Sequence, residues 1–145
     1  MDGSPGADRA VTFAAQVAAR TDAPLRVVAA WTTPEVFDAG FAVLAYQEVT
    51  DAALETAQDA ARTGAQSARA AVPHLVVEEA VVHQSARQAL AEASAGAGLV
   101  VVGARGHGTV TGLFLGSVSH AVIHHATCPV AVVHANQEAD SPKPA

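Results

Sequence analysis

Apolar positions along the chain switch repeatedly between helical spacing and continuous runs. Over residues 7–21, Val11, Ala14, Val17 and Ala18 fall on one face at helical spacing and predict a helix. LRVVAAW (25–31), introduced by Pro24, is a buried type of strand. Residues 32–47, TTPEVFDAGFAVLAYQ, lose the period and scatter Phe37, Phe41, Leu44 and Tyr46, which predicts a loop packed over the sheet. Ala53, Leu54, Ala57, Ala60, Ala61, Ala65 and Ala68 restore helical spacing and predict a long helix over 49–71. LVVEEAVV (75–82) reads as a strand whose central Glu78 and Glu79 suit an edge position. Ser85 followed by Gln88 forms a capping box that opens a helix ending near Gly96 or Gly98. LVVVG (99–103) has the unbroken apolar character of a strand covered on both faces. A helix over 117–126 stops at Cys128-Pro129, and PVAVVH (129–134) is the last strand. The polar ANQEADSPKPA (135–145) has nothing to bury and is expected to be a disordered tail after a single domain over 1–134.

This alternation predicts an α/β domain with a mostly parallel sheet. The pattern opens on a turn, DGSPG (2–6), and then a helix, where an α/β chain of this kind would open on a strand.

Composition narrows the chemistry. The 145 residues suffice for one domain with a full core. Half of them are hydrophobic but only 4% aromatic, so the core is built of small side chains that let helices lie close to a sheet. A formal charge of −6 argues against nucleic acid or an anionic membrane as partner. The apolar runs are too short for a signal peptide or a membrane span, and the single Cys128 excludes an internal disulfide, which together point to a cytoplasmic protein.

The densest chemical signal is GARGHGTVTGLFLGS (103–117), with five glycines in fifteen residues between a strand and a helix. A Walker loop is excluded because no Gly-Lys pair occurs, and a GxGxxG fingerprint fails because the third glycine falls at 112, one position late. The spacing that remains is Gly103-x2-Gly106-x9-Gly116-Ser117. It places glycines at a strand exit, where a backbone approaches a ligand closely, and a helix start whose free amides favour phosphate. Ser117 is placed either to cap that helix or to offer its hydroxyl to a phosphate oxygen. Arg105, inside the loop, is a further candidate phosphate contact.

These residues, with the flanks LVVVGARG, LGSVS and HHATCPVAVV and the opening DGS, resemble the universal stress protein family, in particular its ATP-binding branch with the signature G-x2-G-x9-G-[ST]. The resemblance runs over about residues 2–134. It implies a flavodoxin-like, or adenine nucleotide α-hydrolase-like, open parallel sheet of order 3-2-1-4-5 with helices on both faces. It also implies ATP, with Mg²⁺ bridging its phosphates, across the carboxyl edge of the first and fourth strands, and a homodimer formed through the last strand (129–134). Carried over by position, the nucleotide site comprises Asp2, Ala30, Val102, Gly103, Gly106, Gly116, Ser117 and Val118. Position 7, serine in many members, is Ala7. The family's first strand, an apolar segment directly before DGS, has no counterpart from Met1 onward, and the expectation is that the native start lies upstream.

No residue pattern marks a catalytic centre or a metal site. His120 and His124 are one helical turn apart, but no HExxH or nearby acidic ligand accompanies them, so surface positions are expected for them and His125. Cys128 has no CxxC partner and reads as a small buried hydrophobe. The function expected is an adenine nucleotide-responsive regulatory domain with at most slow ATPase activity. The alternatives are an interaction module of the same fold without a ligand and, more weakly, a nucleotidyl enzyme.

Overall fold

The computed structural model describes residues 1–33, 42–106 and 115–134. Four helices and four strands alternate: α1 (Pro5–Arg20), β1 (Leu25–Trp31), α2 (Ala42–Ala71), β2 (Val77–His83), α3 (Ala86–Ser94), β3 (Val100–Gly103), α4 (Ser117–His125) and β4 (Val130–Val133). The ends of α1 follow from its sequence. Ser4 caps the first turn, Pro5 needs no amide partner there, and Asp8 and Arg20 oppose the helix dipole at its two ends. At α3 the serine half of the expected capping box forms: the Ser85 hydroxyl accepts from the Gln88 amide at 3.4 Å, and it donates to the Gln88 side-chain oxygen at 2.8 Å.

Two expectations change. The helix expected from residue 49 begins at Ala42, so the second half of the predicted loop is helical. Ala42-Val-Leu-Ala-Tyr-Gln-Glu consists largely of good helix formers, and that local preference outweighs the scatter of large residues. Phe37, Phe41 and the 135–145 tail lie outside the described residues. The capping position of α4 is taken by Gly116, not by Ser117.

All strand pairing is parallel. β1 pairs with β2 from Leu25–Val77 to Trp31–His83, and β3 pairs with β4 from Val100–Val130 to Gly103–Val133. Among the described residues these are two separate two-stranded sheets. β1 and β3 line one cavity between them, giving the spatial order β2-β1-gap-β3-β4. This is the 3-2-1-4-5 order without its central strand. Helices α1 and α2 pack together, as do α3 and α4, so each pair forms a layer. As expected for an edge strand, β2 exposes Glu78 and Glu79, which pair with Arg26 on β1 at 3.2 Å and Arg69 on α2 at 3.5 Å.

The core is made of alanine and valine. One cluster joins Val11, Ala15 and Ala68, a second joins Ala29, Ala57 and Ala61, and a third joins Val100, Val102 and Val122. The alanine face of α2, with Ala61, Ala65 and Ala68 fully buried, has no side chain longer than a methyl to hold its neighbours away. Cys128 is half-buried against the third cluster.

Candidate functional site

At the carboxyl end of β3 the chain folds back on one carbonyl. The Ala104 amide extends the ladder by donating to Val133 at 2.8 Å. The Ala104 oxygen then accepts from the Gly116 amide at 2.6 Å and from the Ser119 hydroxyl at 3.1 Å. Ser119 is buried, and its hydroxyl also lies 3.0 Å from the Gly116 oxygen. The two ends of the glycine loop are therefore held side by side at the start of α4.

Facing them is the start of α1. The Asp2 carboxylate accepts from the Ser4 amide at 2.9 Å, closing a turn through Gly3, whose φ of 73° is open to glycine. Buried Ser4 in turn accepts from the Ala7 amide at 3.2 Å. These segments approach one another through glycines. A Cβ on Gly103 would stand 2.8 Å from the backbone of Gly6, one on Gly6 would stand 2.6 Å from the Arg105 oxygen, and one on Gly106 would stand 2.5 Å from the Asp2 carboxylate. Within the described residues, Gly103 and Gly106 thus serve to seat the α1 start against the loop.

The helix end carries the chemistry. Gly116 provides no side-chain cap, so among the described residues the amides in the first turn of α4 have neither an intrahelical acceptor nor a capping hydroxyl. The His120 amide makes the first regular bond, to Gly116 at 3.0 Å. Ser117 is exposed at the first helical position beside these amides. Asp2, Val102, Gly103, Arg105, Gly106, Gly116, Ser117 and Val118 all line one cavity of about 1210 Å³. Ala30 does not line it. Such a site suits an anion, held by helix amides and an exposed arginine, beside a carboxylate already engaged in a turn.

The Met1 ammonium lines the same cavity and donates to the Val28 oxygen. Burial lowers its pKa below the ordinary value of 8.0, with the nearby Asp2 carboxylate opposing that shift. Sequence reading missed Ser4, Gly6 and Ser119, and it missed a stack of Trp31 on His83, 4.2 Å between ring centres, at the carboxyl ends of β1 and β2. The 103–117 spacing signalled the loop, but nothing local signalled its partners.

Residues 1–134 match the family model described as the universal stress protein family. The chain belongs to this family. A universal stress protein, Rv2005c, of Mycobacterium tuberculosis (strain ATCC 25618 / H37Rv) is 40% identical over 133 residues, covering 91% of this chain and 43% of that protein. The chain thus spans under half the length of that curated relative. Among solved structures, the universal stress protein UspA from Lactobacillus plantarum superposes with a TM-score of 0.72 at 25% identity, over 92% of both chains. A universal stress protein in complex with cAMP gives 0.70 at 28% identity, over 94% of both chains. The universal stress protein fold is therefore shared, and one structural neighbour at this distance holds an adenine nucleotide. Among the described residues of this family member no helix is long and apolar enough to cross a membrane, and no three potential ligands group as a metal site.

Proposed function

We propose that this universal stress protein domain binds an adenine nucleotide, ATP in the first place, and acts as a regulatory module through that binding. The observation that carries this reading is the uncapped first turn of α4, held against Asp2, Gly103 and Gly106 at the carboxyl ends of the strands. The amides of Ser117 and Val118 and the Arg105 guanidinium would hold phosphates, with Val102 and Val118 as apolar neighbours. Ala30, at the end of β1, stands outside the cavity and would meet adenine from its rim. The nucleotide would bring Mg²⁺ with its phosphates. Asp2 is the described carboxylate at the site, and its turn with Ser4 suits it to position rather than to abstract protons, so slow hydrolysis at most is expected. The outer edge of β4 is unpaired among the described residues and would supply a homodimer contact. A cytoplasmic location and a role in stress response complete the reading.

Calorimetry with ATP, ADP, AMP and cAMP tests it, using the wild-type chain and Ser117→Asp. A carboxylate at the first helical position suits the helix dipole, at about 0.3–1 kcal/mol, yet repels phosphate. Stability held or raised with affinity lowered more than about tenfold, roughly 1.4 kcal/mol, is the expected result. Unchanged affinity in Ser117→Asp refutes the site. The separation of the two sheets favours a second reading, an interaction module without nucleotide. A folded wild-type chain that binds none of the four nucleotides selects it.

A further inference from the structure

Three histidines fall on α4: His120, His124 and His125. All three are exposed, as their spacing led one to expect. In a helix each side chain leans toward the N-terminus, over the residue one turn before it. His124 accordingly lies against His120, with ring centres 4.6 Å apart and planes tilted by 54°. His125 is turned about 100° further around the helix, to a different side. Among the described residues neither ring of the pair takes part in a side-chain hydrogen bond or an ion pair. His83 is the contrast, stacked on Trp31 and bonded to the Thr33 hydroxyl at 2.8 Å. The nitrogens of His120 and His124 are thus available to a ligand, and the two rings already face one another.

That ligand is defined by the chemistry of imidazole. Neutral imidazole suits divalent ions such as Zn²⁺, Cu²⁺ and Ni²⁺, whereas Mg²⁺ and Ca²⁺ take oxygen ligands. An ion about 2.1 Å from one nitrogen of each ring sets the ring centres about 4.5 Å apart at a right angle, or about 5 Å apart at the tetrahedral angle. The observed 4.6 Å falls within that interval, so the rings close on an ion by rotating, with no shift of the backbone. His124 stands in the last turn of α4, where the carbonyl end of the helix favours positive charge. The formal charge of −6 on the whole chain works in the same direction.

We propose that His120 and His124 form a two-histidine site for a divalent transition metal ion, of the Zn²⁺ and Cu²⁺ class, on the exposed side of α4. The ion takes one nitrogen from each ring and fills its other positions with water. The site is therefore open and exchanging, unlike the closed four-ligand sites that hold a structural ion. Two protein ligands are consistent with the absence, among the described residues, of any group of three. Neither histidine lines the cavity of the nucleotide site, so the inference stands apart from the nucleotide reading.

The test titrates the full chain, without an affinity tag and freed of bound metal, with ZnCl₂, CuCl₂ and MgCl₂ in a non-chelating buffer. Calorimetry reads affinity and stoichiometry, and NMR of the imidazole groups in the Zn²⁺ titration reads the place. One ion per chain is expected, with Cu²⁺ tighter than Zn²⁺, Mg²⁺ unbound, and the His120 and His124 signals shifted together. Outer-shell partners of a metal are worth about 10–100-fold in affinity, so losing one of two ligands, in His120→Ala or in His124→Ala, weakens Zn²⁺ at least about tenfold. Alanine is the better helix former, and circular dichroism checks that both variants are folded. His125→Ala keeps the wild-type affinity. Absence of saturable Zn²⁺ binding overturns the proposal. So does affinity retained in either single variant of the pair, an equal loss in His125→Ala, or competition by Mg²⁺ at equal concentration, which points to oxygen ligands.

Discussion

Replacing Gly6 by alanine isolates the contact that joins the two halves of the site. An added Cβ stands 2.6 Å from the Arg105 oxygen, with a second atom of the same peptide at 3.7 Å. That is about 0.7 Å short of an ordinary C···O approach of about 3.3 Å. The obstacle is backbone, so no rotamer relieves it; either α1 lifts or the loop start moves. Overpacking of this kind costs about 1–3 kcal/mol. Alanine in a helix returns up to about 1 kcal/mol relative to glycine, leaving a net loss of about 1–2 kcal/mol. For a chain of this size that lowers Tm by roughly 4–8 °C. Urea unfolding followed by circular dichroism, with a thermal scan, measures both quantities. Gly98→Ala is the control: no heavy atom stands within 4 Å of its added Cβ, and its φ is not positive. There the substitution is neutral or stabilises by about 0.4–1 kcal/mol, through loss of freedom in the unfolded chain. A Gly6→Ala protein as stable as wild type, or as stable as Gly98→Ala, refutes the close approach of α1 to the loop.

Ser119→Ala removes the buried hydroxyl shared by the Ala104 and Gly116 oxygens, while the Gly116 amide still bonds to Ala104. A loss of about 1 kcal/mol is expected in the urea midpoint, and an unchanged midpoint tells against the latch. The Met1 ammonium gives a pH dependence whose sign is fixed. Its folded pKa lies below 8.0, so between that value and 8.0 the unfolded chain binds more protons, and stability rises with pH across the window and levels off above it. Urea midpoints from pH 6 to 9, compared with an N-terminally acetylated chain that lacks this component, read the difference; identical slopes contradict a buried ammonium.

The elements were largely legible because their signals are local. β1 occupies the residues expected, 25–31, and β3 differs from expectation by one residue, since continuous apolar runs bounded by breakers mark buried strands directly. The start of α2 was hidden, because Leu44 and Tyr46 break the apolar period while the backbone preference of their neighbours is helical. The split into two sheets was foreseeable by counting strands. At the site, the spacing from Gly103 to Ser117 exposed the loop, but Gly6 meets residues about a hundred positions away, and Ser4 caps the helix that brings it there. Ser119 was hidden for another reason, since a serine in the first turn of a helix looks the same whether it faces solvent or latches a carbonyl. Ala30, placed by resemblance alone, lies near the end of β1 and outside the residues that line the cavity.

The Ala104 carbonyl has a further consequence for the length of the loop it closes. Because the Gly116 amide and the Ser119 hydroxyl both fasten there, the start of α4 is located by the two ends of the loop, whatever connects them. Closure entropy changes slowly with length, so doubling a flexible span costs only about 0.6 kcal/mol. Closure by itself therefore makes the position of α4 depend only weakly on the length of the connection. Chains with two residues added to or removed from that span should unfold within about 1 kcal/mol of wild type, and any sharper dependence of nucleotide affinity on the count measures what the span reaches for when a ligand is bound.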